Sequence, residues 1–489
     1  MIADNRGNRL ATWLVALTLA SVSSMAFGAN VVIVNVNAAG VGFNDPSAPN
    51  PAAGCNVGET LGQCRLRVFN QAAAQWGTLL QSNVTISING QMTALTCSGT
   101  SAVLGSAGPS TAHANFANAP RPNVAYVQAL ANSWAEADLN GASDLNANFN
   151  QNIDNGTCLN GTAGWWYGTD PSVPAPADRT PLLPVVFHEI GHGIGFTSLY
   201  SSTNGQPSTG AGTPIWGFYL FDTETNLLWK DMTNAQRQAS AINDPDLVWT
   251  GPLTNAWSPV YLGPPAKAII NSPGGIAGSY DAQTAEFGAP VTNPTTADVT
   301  LVDDGVGTAR DGCETPFVNA AAVAGRIALI ERGTCTFAAK VKNAQLNGAV
   351  GALLFNNTTG LPPMGGSDST ITISSLGIAQ ALGNSIIANL PSPGVNATLG
   401  VDTGGALAGT QDGCVRMFAP NPVQSGSSVS HFHSDAFPNL LMEPSLNGSI
   451  FNKVDLTLAL FRDIDWRMNA EDVIFLDPFD FNPCTEVQP

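Results

Sequence analysis

The chain has 489 residues, enough for two or three domains that each bury a core. Only 11% of its residues are charged and the formal balance is −18, which argues against nucleic acid or an anionic membrane surface as a partner. Its 50 glycines, with abundant Asn, Ser and Thr, imply turn-rich surfaces that stay in solution with few charges.

At the amino terminus Arg6 and Arg9 precede an apolar stretch from Ala11 to Ala20, and small residues around Ala26-Phe27-Gly28-Ala29 offer a cleavage site. Residues 1–28 therefore read as a secretory signal peptide, with an extracellular destination. Elsewhere no segment has the length of an apolar membrane span, so stable membrane insertion is not expected. Eight cysteines suit an oxidising compartment and up to four disulfides, paired here as Cys55–Cys64, Cys97–Cys158 and Cys313–Cys335, leaving Cys414 with Cys484. None of them has the CxxC spacing of a structural zinc site.

A β-rich run at 31–37 follows the expected cleavage point closely and leaves no room for a propeptide. Next comes a helix with Leu66, Phe69, Ala73, Trp76 and Leu80 on one face, then an alternating strand at 84–88. Residues 140–155 are rich in Asn and Asp and read as a solvated loop; calcium is the alternative, although the EF-hand order of ligands is missing.

Val186-Phe187-His188-Glu189-Ile190-Gly191-His192-Gly193-Ile194-Gly195-Phe196 contains HExxH. On a helix, positions i and i+4 share a face, so His188 and His192 can turn imidazole nitrogens towards one zinc ion while Glu189 reaches a water beside it. Pro184 suits the first turn of such a helix and Gly193 or Gly195 its end, whereas Gly191 inside it lowers intrinsic helix stability. A catalytic zinc takes three protein ligands and leaves one position open. The compact pattern HExxHxxGxxH would place the third at position 198, where Ser198 stands, so the remaining histidines are His113, His431 and His433. His431 and His433 would point the same way in an extended segment, and Asp435 is a further possibility. His113 reads as an ordinary surface or core histidine.

Trp216, Tyr219 and Phe221 read as a core cluster rather than the lining of a substrate pocket. Further on, apolar runs and glycine breaks predict a strand at 327–331, a helix at 337–346 and a strand at 350–355. A strand at 371–373 and an amphipathic stretch at 378–390 continue the pattern. Val454, Leu458 and Phe461 share a helical face near the carboxyl end. The tail after residue 468 reads as an extension pinned by Cys484 or as a sorting signal.

Two resemblances join these pieces. HExxHxxGF at 188–196, the histidine in Ser430-His431-Phe432, and Leu441-Met442 eleven positions beyond that histidine resemble the leishmanolysin-type metzincins. That resemblance implies zinc held by His188, His192 and His431, Glu189 as general base, and Met442 in a methionine turn beneath the metal. It also implies that Asn148-Phe149-Asn150 belongs to the edge strand along which substrate lies antiparallel. The separation of 239 positions from His192 to His431 exceeds the family's usual insertion. The segment from Gly325 to Asn357 is similar to a protease-associated (PA) domain, which flanks catalytic domains of secreted peptidases and carries no chemistry.

The expected fold is α+β: a zincin/metzincin-like catalytic domain, with a twisted sheet over the HExxH helix, interrupted by a small α/β PA domain. Its parts are the signal peptide 1–28, catalytic segments 29–280 and 402–468, a PA insertion at 281–401, and a tail at 469–489. The expected function is a secreted zinc-dependent endopeptidase acting on protein or peptide substrates with one catalytic Zn2+. Alternatives are an aminopeptidase with a PA domain, or a catalytically silent binding or adhesion protein that keeps a metal.

Overall fold

A computed structural model describes residues 28–99, 101–159, 161–176, 178–285, 287–366, 368–445, 454–469 and Cys484. The signal-peptide reading of residues 1–27, and the tail apart from Asn469 and Cys484, lie outside the described residues. The architecture is mixed α+β, and no described helix is long and apolar enough to cross a membrane. All four expected cysteine pairs are disulfide-bonded, including Cys414–Cys484 at the tail.

In the amino-terminal part, strand β1 (Val31–Asn35) is followed by helix α1 (Leu61–Leu79), strands β2 (Ile86–Thr93), β3 (Gly105–Pro109) and β4 (Leu145–Asn150), and helix α2 (Leu182–Ile194). Thr60 and Gln63 close α1 with a reciprocal capping box, each side chain accepting from the other's backbone N–H. The predicted face of α1 is turned inward, with Phe69, Ala73, Trp76 and Leu80 buried and Leu66 half-buried. Trp76 joins α1 to the motif helix: its indole stacks on Phe187 at 4.7 Å, and its Nε1–H donates to the Phe187 carbonyl at 3.0 Å.

The strands form one sheet in the order β1-β2-β4-β3, the first three parallel and β3 antiparallel. Strand β2 runs on beyond the predicted 84–88, and its side chains alternate between buried and half-buried along its whole length. Polar residues on its outer face hid that continuation from the apolar pattern. The expectation for 148–150 needs correction: β4 lies inside the sheet, paired on both sides, and the edges are β1 and β3, of which β3 is the one beside the motif helix. A glycine-rich segment such as GSAGP carries almost no strand signature, so the edge was hidden in the sequence. The Asn/Asp-rich residues 140–155 serve the fold: Asp144 accepts from Ser87 N–H, Asn150 bonds Val103 O, and Asp154 pairs with Arg65.

A second sheet has eight strands: β5 (Ala266–Ser272), β6 (Gly278–Asp281), β7 (Gln283–Thr284), β8 (Thr295–Leu301), β9 (Ile327–Glu331), β10 (Gly351–Phe355), β11 (Ser374–Ile378) and β12 (Asn396–Val401). Their order is β6-β5-β12-β8-β9-β10-β11-β7, with β8 to β11 parallel. Helices α3 (Phe337–Leu346) and α4 (Gln380–Asn389) complete it. Alternate residues feed two cores, Leu353 and Phe355 in one and Ala352 and Leu354 in the other, which is why β10 reads as an unbroken apolar run. Residues 371–373, expected as a strand, precede β11 instead and are bound through Gln345, whose side chain accepts from Thr372 N–H at 2.6 Å.

The entry and exit of this second unit lie side by side, with Asp402 N–H donating to Pro265 O and Ala408 N–H to Gly263 O, both at 2.8 Å. Beyond the exit, β13 (Cys414–Arg416) pairs with residues 247–249 from before the entry. Helix α5 (Thr457–Asp463) then packs beneath the site, burying Leu460 and Phe461. A long insertion thus leaves the surrounding backbone almost where a short turn would.

Candidate metal centre

The motif helix is apolar through its first six residues, and every side chain there is buried. Its glycines permit close approach. A Cβ on Gly191 would stand 2.8 Å from Met442 Sδ, and one on Gly193 only 2.2 Å from Leu145 Cδ1. The helix ends at Gly195, whose φ of 139° returns the chain towards the site.

Three histidines meet at one point. The Nε2 atoms of His192 and His188 are 3.0 Å apart, those of His192 and His431 3.0 Å, and those of His431 and His188 3.3 Å. Each Nδ1 faces a backbone carbonyl: Leu441 O for His188 at 2.7 Å, Phe196 O for His192 at 2.7 Å, and Ser427 O for His431 at 2.8 Å. A carbonyl only accepts, so all three Nδ1 atoms carry the proton and all three Nε2 lone pairs point inward. Burial holds all three imidazoles well below their ordinary range, His188 to about 4 and His192 to about 3. Three neutral imidazoles with converging lone pairs repel one another unless a cation sits between them. The edges also match the roughly 3.3 Å between nitrogens bound tetrahedrally at zinc distances. This donor set therefore fits a zinc ion.

Glu189 stands beside the triad and is 8% exposed. Burial pushes its carboxyl up to about 8, against a hydrogen bond from Ala107 N–H that works the other way. A cation on the histidines would favour the carboxylate. Because Ala107 belongs to β3, the general-base candidate is tied directly to the edge strand. Met442 is fully buried under the helix, and its carbonyl accepts from Phe432 N–H at 2.9 Å. The turn it occupies also supplies the Leu441 carbonyl to His188, so it orients a histidine as well as supporting the floor.

His433 turns elsewhere. Its Nε2 is 3.1 Å from Asp244 and its Nδ1 accepts from Asp435 N–H at 3.1 Å. Asp435 pairs with Arg416 at 2.8 Å. The alternation argument failed here because residues 431–433 do not form a regular strand. His113 contacts Thr111 at 2.9 Å, away from the triad. Trp216 and Phe221 are buried in the core as expected, while Tyr219 is half-buried and receives a hydrogen bond from Arg121. Missed by sequence reasoning were the three carbonyls that orient the histidines, since backbone groups leave no mark in side-chain identity.

The triad and Glu189 line a cleft of about 1590 Å³, walled by β3, the motif helix, the 425–431 loop and residues 332–343 of the second unit.

Residues 295–386 match the family model of the PA domain, so the second unit contains a PA domain. No curated protein matches the chain. Among solved structures the chain is similar to an aminopeptidase from Aneurinibacillus sp. strain AM-1, at 28% identity over 29% of this chain and 31% of that one, with a TM-score of 0.22. It is also similar to the zinc aminopeptidase BSAP from Bacillus subtilis, at 24% identity over 31% of this chain and 36% of that one, with a TM-score of 0.21. The chain thus spans about a third of each of these structures, and at such TM-scores the likenesses carry no argument about the fold of the whole.

Proposed function

We propose that this chain is a secreted zinc-dependent endopeptidase of leishmanolysin-like type, in which His188, His192 and His431 hold the ion and Glu189 is the general base. The observation that carries this reading is the convergence of three Nε2 lone pairs beside a buried glutamate on the wall of an open cleft. In the same reading the catalytic unit is split in two, 29–280 and 402–468, around the PA insertion at 281–401. The pairing of β5 and β6 into the second sheet favours starting that insertion at 266.

A zinc ion held there would supply Lewis acidity to a water and to the scissile carbonyl. Glu189 accepts the proton of that water as its oxygen bonds the carbonyl carbon. It then delivers the proton to the departing amine nitrogen as the C–N bond breaks. Among the described residues strand β3 is paired on one side only, so an extended peptide can pair antiparallel on the other, where Ala107 N–H already holds the glutamate in register with it. Leu441, Phe196 and Ser427 carbonyls fix each imidazole with Nε2 inward, which a rotating ring would not maintain.

Glu189→Gln tests the assignment. It should keep one zinc per chain and the wild-type melting temperature, while casein hydrolysis falls by about 100-fold or more. Hydrolysis that survives the change sinks the role given to Glu189. Cleavage of peptides with an acetylated amino terminus separates an endopeptidase from an aminopeptidase, which would leave them intact.

A further inference from the structure

Arg179, three residues before the motif helix, is 4% exposed and lines the cleft. Its Nη1 donates to the Trp165 carbonyl at 3.1 Å and packs over Gly164, where a Cβ would come within 3.5 Å. Its Nε has no partner, and among the described residues it forms no ion pair: the nearby Asp154 carboxylate, which shares the space at Gly164, is paired with Arg65 at 2.7 Å. A buried cation without an ion-pair partner of its own is costly. Proteins keep such an arrangement where a ligand brings the missing anion, and the planar fork of arginine fits a carboxylate.

The opposite wall agrees. Arg332 donates to the Asn356 side chain at 3.0 Å and Lys342 to Thr370 O at 3.1 Å, both to neutral acceptors. Of the carboxylates in the cleft, Asp368 is occupied by the Thr370 N–H and hydroxyl, Asp178 is exposed, and Glu189 belongs to the metal centre. Among the described residues, three cations without a carboxylate ion-pair partner therefore face one cleft in a chain whose net charge is −18.

We propose that Arg179 binds a carboxylate of the substrate, making the preferred substrates acidic peptides; this rests on the peptidase reading above. From Leu182 to His188 the helix rises about 9 Å, so the arginine addresses a residue about two to four positions from the scissile bond at roughly 3.3 Å per residue. The carboxylate comes either from a Glu or Asp side chain or from a peptide's own carboxyl terminus.

The test is binding of inert peptides to the zinc-loaded Glu189→Gln protein by calorimetry. The probes are an eight-residue peptide, amidated at its carboxyl end, with Glu or Gln at each position in turn, and the all-Gln peptide with a free carboxyl end. We expect one Glu position, or the free carboxyl end, to tighten binding by about tenfold or more, and Arg179→Gln in the same background to abolish that preference. Arg332→Gln should weaken it only severalfold. Should Arg179→Gln fail to fold, Arg179→Lys, which keeps the charge but loses the planar fork, should weaken the preference more than Arg332→Gln and Lys342→Gln do, and the reverse order overturns the proposal. Equal binding of Glu and Gln peptides, or a preference that survives Arg179→Gln, overturns the proposal. Acidic preference in binding with no hydrolysis by the wild type would instead refute the peptidase reading and leave the arginine's role standing.

Discussion

Gly193→Ala sets helix propensity against packing. In an unpacked helix the change would stabilise by about 1 kcal/mol, because alanine loses less backbone entropy than glycine. Here the new methyl would stand 2.2 Å from Leu145 Cδ1 and 2.9 Å from both Leu145 Cβ and Cγ. Leu145 is fully buried on β4, which is paired on both sides, so its Cβ cannot retreat without moving the sheet. Overpacking of this kind costs about 1–3 kcal/mol, and a contact with an immobile Cβ belongs at the upper end. The expected net effect is a destabilisation of about 1–2 kcal/mol, or a fall of roughly 2–6 °C in melting temperature. Zinc affinity should fall as well, since His192 is the adjacent residue. Calorimetric melting of wild type, Gly193→Ala, Leu145→Ala and the double variant measures this directly. The double variant should be more stable than the two single effects predict by at least about 1 kcal/mol, because truncating Leu145 opens the space the methyl needs. A Gly193→Ala protein that melts higher than wild type, or additive effects in the cycle, would refute the packing argument.

Chelation should lower the melting temperature in proportion to metal occupancy: three inward lone pairs lose their common partner, and a thousandfold excess of zinc over its dissociation constant stabilises by about 4 kcal/mol. A melting curve unmoved by chelator and zinc readdition would count against any metal at this triad. His431→Ala should lose bound zinc, whereas His433→Ala should keep one equivalent and lose about 1–3 kcal/mol of stability through its buried bond to Asp244; zinc stoichiometry by atomic absorption reads both. Lys340, fully buried in the PA domain, donates to Asp311 O and Cys313 Sγ, and burial pushes its ammonium down to about 8 against the pull of Asp311, Asp304 and Glu314. The unfolded chain holds that proton up to about 10.4, so between these values unfolding takes up protons and stability rises with pH. Wild type should gain about 2 kcal/mol from pH 7.5 to 9.5 in urea unfolding, and Lys340→Met should lack that gain.

Much of the chemistry was visible in the order of residues. HExxH needs only helical spacing to bring His188 and His192 together, and α2 forms where its apolar run and terminal glycine place it. Strand β9 and helix α3 fall where predicted, because apolar runs and the glycines that break them act within a few residues. The edge strand was misplaced for the converse reason. GSAGP has little strand propensity of its own and becomes β3 only by pairing with β4, residues 145–150. Likewise, Gly191 and Gly193 are unfavourable choices within the helix and become necessary only against Met442 and Leu145, which are remote in sequence.

Local pattern therefore showed which residues are available to bind a metal and that the chain contains a PA domain, and the expected cysteine pairs were those the structure bonds. Tertiary structure decided how they meet. His431 reaches His192 across 239 residues because the insertion's entry and exit are hydrogen-bonded side by side, so a long loop carries no long displacement. The same folding places His431 rather than His433 beside His188 and His192, since Asp244 and the Asp435 backbone hold the latter away. It also aims every Nε2 inward through carbonyls that any residue could have supplied, and for that reason no sequence could announce them.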